Sequence, residues 1–173
     1  DVGANCGYYS IILAKNFKNL KIFAFEPNND AYFKFNKTLN INPDLSDRII
    51  LNNYGLSNKN LKQTLKSLIK FGYPQTGGST VNNYYQINFK TQEANFKIGD
   101  EEFNIQGSII AFKIDVEGHE INVLNGIKQL LNNNKCIIQI EIFDKHFEQI
   151  NKFLTENKFY KIKKTKHITV FSE

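Results

Sequence analysis

Residues 1–10 read DVGANCGYYS: an acidic residue, a glycine, a short polar step, a second glycine and then the opening of a helix. The run YYSIILAKNF places Tyr9, Ile12, Leu13 and Phe17 at three- and four-residue spacing, which predicts an amphipathic helix with that face inward. KIFAFEP then reads as a short buried strand stopped by Pro27. A second helix is expected over residues 30–40, with Tyr32, Phe35 and Leu39 on one face, and RIILNNY follows as the next strand. A glycine loop followed by helix, strand, helix and strand is the pattern in which crossover helices join parallel strands.

Residues 56–107 are expected to form an insertion or lid. LKQTLKSLIKF fits a helix through Leu61, Leu65, Leu68 and Ile69 and also fits a strand. YQINFKT alternates at Tyr85, Ile87 and Phe89, and NFKIGDEEF resembles a hairpin turning at Gly99 and Asp100. Regular alternation then resumes. SIIAFKID is a strand ending on Asp115, EINVLNGIKQLL a helix with Val123, Leu124, Ile127 and Leu131 inward, CIIQIEIF a strand and DKHFEQINKFLTEN a helix. FYKIKK and HITVF make a terminal hairpin. The pattern predicts an α/β fold, a doubly wound and mostly parallel sheet with a terminal antiparallel hairpin, in one domain over residues 1–173.

The composition, 41% hydrophobic with 15 Phe and 8 Tyr, suffices for one sizeable core. A net charge of +5 comes from lysines scattered among asparagines, and only KIKKTK concentrates it. A solvated lysine surface accounts for this charge, so no nucleic-acid partner is expected. Cys6 and Cys136 have no C-x-x-C or zinc-spaced partner, so neither a metal nor a disulfide framework is expected. No apolar run approaches the roughly 20 residues needed to span a bilayer, and no signal-peptide pattern precedes the loop. A reducing, cytoplasmic setting follows. The abrupt start at Asp1 and the absence of any Met are read as an N-terminal truncation that has removed the leading part of the first strand.

In doubly wound sheets ligands bind beyond the carboxyl ends of the strands, and the first strand-to-helix turn is the usual cradle. Gly3 supplies the backbone angles of a tight turn, and Gly7 keeps the helix N-terminus bare towards the ligand. Glu26 ends the next strand 19 residues after Gly7, where a carboxylate binds ribose hydroxyls. Asp1 narrows the ligand further. Beside a pyrophosphate at about 5 Å and an effective dielectric near 20, it would be repelled by roughly 3 kcal/mol per charge pair. Beside an ammonium group it is attracted. S-adenosylmethionine satisfies both demands, whereas a nicotinamide dinucleotide, with its G-x-G-x-x-G fingerprint, does not. Tyr8 is placed to shelter a sulfonium through its ring face, or to sit in the core. Asn28 and Asn53 lie where an adenine edge is read, and equally where turns use asparagine.

DVGANCGYYS, AFEPNNDAY, GLSN, GGST, KIDVEGHEINVLNG and QIEIF together resemble the FkbM-type methyltransferases, over a stretch from Asp1 to about Phe143. The resemblance implies a Rossmann-like class I methyltransferase fold and an S-adenosylmethionine-dependent enzyme acting on a hydroxyl oxygen of a sugar, glycan or natural product. It also implies that the D-V-G-A-N-x-G loop, Asn5 included, holds the cofactor, and it favours a functional role for Asp115 and Glu117. A nicotinamide-dependent oxidoreductase and a non-catalytic binding module are the alternatives.

An aliphatic hydroxyl must lose its proton as the methyl arrives, and a positioned base is worth roughly 10²–10⁴ in rate. His119 has a suitable intrinsic pKa. The family pattern leaves its position variable, so the resemblance carries no catalytic role onto it, and His119 stands as a candidate base or as a residue of the helix surface. Asp115 and Glu117 are the competing bases if burial raises them. Acidic groups in a first helical turn, Glu117 and Glu120 here, are also stabilised by the helix dipole by about 0.3–1 kcal/mol with no function required. Glu141 either orients the acceptor or is a solvated strand end. Spacing alone leaves open whether these acids and His119 gather around a cation, and no essential metal is expected. GGST, with Gly77 and Gly78 as hinges, is the candidate lid.

Overall fold

The computed structural model describes residues 1–81 and 88–173, and the chain divides into two compact units. The first comprises Asp1–Gly55 and Leu61–Phe96, the second Leu56–Asn60 and Lys97–Glu173. The expected alternation at Tyr85 and Ile87 lies outside the described residues.

In the first unit, α1 (Tyr8–Asn16) leads to β1 (Ile22–Phe25), α2 (Asn29–Asn40), α3 (Pro43–Ser46) and β2 (Ile49–Asn52). β1 and β2 are parallel, with Ile22 opposite Ile49 and Phe25 opposite Asn52. On the other side of β1, Val2 makes an isolated parallel bridge to Phe25, so the residues entering the glycine loop are themselves strand-paired. The core joins Ala4, Ala14, Ile22, Ala24, Phe35, Leu39, Leu45 and Ile49.

The face of α1 differs from the periodicity reading. Ser10 and Ala14 are its buried residues, whereas Ile12 and Phe17 are exposed. Ile11 and Leu13 pack at the margin of the core. Small residues allow a helix to approach its neighbours closely, so this short helix buries Ala and Ser and leaves part of its apolar stripe outside. α2 follows the expectation more closely: Ala31, Phe35 and Leu39 are buried along one side.

After β3 (Gly55–Ser57), the ambiguous LKQTLKSLIK segment is a strand, β4 (Leu61–Lys70), followed by β5 (Tyr73–Pro74) and β6 (Phe89–Ile98). These four strands are ordered β3-β6-β4-β5. β4 pairs antiparallel with β6, Leu61 opposite Phe96 and Leu65 opposite Gln92. The competition between periods is settled by packing: Leu65 and Ser67 share a strand face and are buried, and Leu65 joins Ala94 and Phe96 in a small core.

In the second unit, α4 (Gly99–Glu102) occupies the place of the expected hairpin turn. Asp100 does not reverse the chain. Its carboxylate caps a later helix, accepting the backbone N–H groups of Gln129 at 2.8 Å and Leu130 at 2.9 Å. β7 (Ile109–Ile114) is followed by α5 (Glu120–Gly126), α6 (Lys128–Asn133), β8 (Lys135–Glu141), a 3₁₀ turn (Asp144–His146), α7 (Phe147–Glu156), β9 (Tyr160–Lys164) and β10 (Ile168–Ser172). The predicted EINVLNGIKQLL helix is thus two helices broken at Ile127, and Val123, Leu124, Ile127 and Leu131 are all buried as expected.

The sheet order here is β7-β8-β10-β9. β7 and β8 are parallel, while β10 is antiparallel to both β8 and β9, the expected terminal hairpin. The described sheets are therefore mixed rather than mostly parallel. The strands of the terminal hairpin are joined by a short turn that contains no crossover helix, and such a connection returns the chain antiparallel.

Candidate functional site

The loop in the first unit is built on alternating left-handed backbone. Gly3, Asn5 and Gly7 have φ of 79°, 50° and 80°. Asparagine tolerates that region better than most side chains, so the G-x-N-x-G spacing records three turns of the backbone. The N–H groups of Gly3 and Ala4 both donate to the Phe25 carbonyl at 3.0 Å, and Gly7 donates to Ala4 at 2.9 Å. Gly7 is glycine for a second reason. A Cβ there would lie 2.2 Å from the Phe35 ring, so the residue admits a core aromatic beneath the helix start.

Glu26 is buried, at 6% exposure, one residue beyond β1. Its Oε2 accepts the Asn5 N–H and its Oε1 the Asn28 N–H, each at 2.7 Å. Each carboxylate oxygen has a second lone pair, so the group can hold its own turn and still accept ligand hydroxyls. Asn28 is committed to the framework. Its Oδ1 caps α2 by accepting from Asp30 and Ala31, and its Nδ2 donates to Ser67 and Ser79. Asn53 donates to the Glu26 carbonyl at 3.0 Å. Asp1 Oδ2 accepts the Ser10 hydroxyl at 2.7 Å, and Tyr8 is 78% exposed rather than in the core.

The second cluster, Asp115 to Glu120, follows β7. Glu117 and Gly118 both have positive φ, 53° and 94°, so the chain turns sharply before α5. For Glu117 this is an uncommon conformation, of the kind that collects at functional sites. β7 and β8 are in register at Ile114 and Ile140, so Asp115 and Glu141, each one residue further on, lie side by side. Their carboxyl groups interact, and the effect falls on Glu141. Burial pushes the Glu141 carboxyl up to about 7, the Asp115 and Glu117 carboxylates add to the rise, and Lys113 opposes it. Lys113 Nζ lies 3.4 Å from Asp115 Oδ2.

His119, a candidate base or a helix-surface residue on sequence, is buried. Asn122 Nδ2 donates to its Nδ1 at 3.0 Å, which leaves the proton on Nε2 to be donated to Ser57 Oγ, also at 3.0 Å. Burial lowers the imidazole to about 4, so it is neutral at physiological pH. Glu120 is buried as well. It folds back to accept the Gly118 N–H at 2.8 Å, and burial raises its carboxyl while the Gly118 hydrogen bond and His146 oppose the rise. Among the described residues, no three His, Cys, Asp or Glu side chains are grouped to hold a metal ion. Both cysteines are free thiols, and burial pushes Cys136 up to about 12.

The Asp115–Glu141 pairing is the feature that sequence reading left unresolved. Its signal was present in two apolar strands that each end on a carboxylate, but only the parallel register brings those ends together.

A cradle of αL turns closed on a buried carboxylate, and a strand-end carboxyl pair, belong to a protein whose sequence matches the methyltransferase FkbM domain over residues 1–162. The chain belongs to this family. Its fold is similar to that of an FkbM methyltransferase from Methylobacillus flagellatus KT, with a TM-score of 0.68 at 15% identity, covering 100% of this chain and 42% of that one. The chain thus spans less than half the length of that relative. A precorrin-6y C5,15-methyltransferase from Geobacter metallireducens GS-15 is also similar, with a TM-score of 0.55 at 12% identity, covering 100% of this chain and 77% of that one. Among curated proteins, none is significantly similar in sequence. Among the described residues, no helix is long and apolar enough to cross a membrane.

Proposed function

We propose that this domain, of Rossmann-like class I architecture, is an S-adenosylmethionine-dependent O-methyltransferase acting on a hydroxyl of a sugar, glycan or other small-molecule acceptor. The observation that carries the reading is the Asp115–Glu141 carboxyl pair, whose Glu141 is raised to about 7, close to the pH at which a base must work.

The donor set of the first unit fits the cofactor. Glu26 accepts the ribose hydroxyls, Asp1 attracts the amino group of the methionyl part, and the turn Gly3–Asn5–Gly7 with Tyr8 lines the remainder. Asn28 and Asn53 act from behind by fixing Glu26. The cofactor, when bound, supplies an electrophilic methyl group on a positively charged sulfur. The chain's own task is then to hold the acceptor and receive its proton. Glu141 holds a proton below about 7, and once that proton has left, a carboxylate oxygen of Glu141 or of Asp115 beside it takes the proton of the acceptor hydroxyl. Glu117, in its strained turn, supports the pair through its charge. His119 positions the turn by hydrogen-bonding Ser57, since both its ring nitrogens are engaged.

Methyl-labelled S-adenosylmethionine incubated with the chain and a panel of sugar and polyol acceptors tests the proposal. An O-methyl resonance in the product supports it. Binding of a nicotinamide dinucleotide with no affinity for S-adenosylhomocysteine would overturn it.

A further inference from the structure

The chain has ten glycines, and the fold accounts for nine of them. Gly3, Gly7, Gly72, Gly78, Gly107 and Gly118 have positive φ. At Gly55, Gly99 and Gly126 a Cβ would come within 2.6 Å of the Phe96 ring, the Ile127 side chain or the Ser57 carbonyl. Gly77 has neither reason. Its φ lies outside the left-handed region, and among the described residues a Cβ would meet only Asn5 Nδ2, at an ordinary contact distance of 3.6 Å. A glycine loses more freedom on folding than any other residue, so where the backbone does not require one the missing side chain is itself the feature to explain.

That space adjoins the loop. Gly77 sits in a strap over residues 75–80 that is anchored at both ends within the first unit. Gln75 N–H donates to Leu68 at 2.8 Å, and Thr80 exchanges backbone hydrogen bonds with Lys66 at 2.9 and 3.0 Å. Ser79 Oγ accepts from Asn28 Nδ2 at 2.9 Å and donates to the Thr76 carbonyl at 3.1 Å, while Ser67 Oγ lies 2.8 Å from Ser79 Oγ. Asn28, which also donates its backbone N–H to Glu26, thereby ties the strap to the buried carboxylate. Thr76 Oγ1 lies 3.9 Å from Cys6 Sγ, so the Thr76–Gly77 corner runs along the Asn5–Cys6 corner of the loop.

We propose that Gly77 is a size-determining residue of the ligand site at the loop: its missing side chain keeps the space beside Asn5 open for the S-adenosyl ligand. The strap is then a fixed wall held by Asn28, Ser67 and Ser79, not a lid hinged at Gly77. This inference rests on reading the loop as the cofactor site.

Calorimetric titration of S-adenosylhomocysteine into the full chain, alongside Gly77→Ala and Gly77→Leu, tests it. Removing a glycine at an unstrained position restricts the unfolded chain, so the thermal midpoint of Gly77→Ala is expected to hold or to rise by about 1–4 °C. Affinity is expected to move the opposite way, falling about 10-fold for Ala and about 100-fold or more for Leu. Unchanged affinity in a folded Gly77→Leu overturns the inference alone. A drop of several degrees in Gly77→Ala overturns it too, because the glycine then serves the fold. Failure of the unmodified chain to bind sinks the cofactor reading and this inference with it.

Discussion

Asp115 and Glu141 stand side by side at the ends of two adjacent parallel strands, each one residue beyond the registered pair Ile114 and Ile140. Like charges so placed cannot both ionise freely, and the Asp115 carboxylate adds to burial in holding the Glu141 carboxyl protonated up to about 7.

Glu141 predicts an acidic limb in the pH–rate profile near 7, activity rising as its proton leaves. Glu141→Gln and Asp115→Asn should each lower kcat by roughly 10²-fold or more, the first abolishing the limb and the second moving it to lower pH, with affinity for S-adenosylhomocysteine within a few-fold. A fully active Asp115→Asn enzyme with an intact limb would sink the assignment. The same carboxyl affects stability with a definite sign. Its folded value is raised above 4.5, so its contribution is present below that pH and lost as pH rises through about 7. Thermal midpoints of Glu141→Gln should therefore fall less over that interval than those of the unmodified chain.

His119 carries the opposite dependence. Its imidazole is lowered from 6.5 to about 4, so the neutral ring stabilises the fold above 6.5 and that contribution is lost as pH falls towards 4. The full difference is on the order of 3 kcal/mol. His119→Gln should flatten this acid-side loss in urea unfolding series. It should change kcat less than 10-fold, because both ring nitrogens are engaged within the turn. A large loss of turnover, with disappearance of the acidic limb, would make His119 the base instead.

Glu26 joins two backbone turns as well as facing the loop. Glu26→Ala is expected to weaken S-adenosylhomocysteine binding by about 1.5–3 kcal/mol, and to lower stability by a similar amount by leaving the Asn5 and Asn28 N–H groups unpaired. Asn53→Ala, which removes one bond to the Glu26 carbonyl, should cost each quantity about 1 kcal/mol or less. Calorimetry and denaturant titration on the same samples separate the two effects. Unaltered affinity in Glu26→Ala would take the residue out of the site.

Gly7 is constrained by packing. A Cβ at φ 80° and 2.2 Å from the Phe35 ring should destabilise Gly7→Ala by about 2–4 kcal/mol. Trimming the obstacle in Gly7→Ala/Phe35→Leu should recover part of that loss, leaving the cost of the backbone angle. Unfolding of the single and double variants measures it, and no recovery would mean that the backbone angle alone explains the glycine.

Much of the architecture was legible in sequence. KIFAFEP, RIILNNY, SIIAFKID and CIIQIEIF are strands, as short apolar runs bounded by breakers predict, although burial is nearly continuous only in β1, and β8 buries Cys136, Ile138 and Ile140 while leaving Ile137 exposed. The terminal hairpin and the α2 and α5 core positions follow from period alone. Period failed where two periods fit the same leucines, as in β4, and where a helix buries small residues, as Ser10 and Ala14 do in α1. The GD pair at residues 99–100 resembled a turn because glycine and aspartate serve both hairpins and helix caps. A partner 29 residues away, Gln129, decided which.

By itself the sequence determined the family, the α/β class, the G-x-N-x-G turn and the spacing of Glu26 from it, since these depend on local backbone preference and on residue type. Only the tertiary structure decided which carboxylates act on one another, that His119 is sealed between Ser57 and Asn122, and that Gly77 stands beside Asn5. Such pairings join residues far apart in the chain. Their energies depend on burial and distance, which strand register and packing set and which no local pattern encodes.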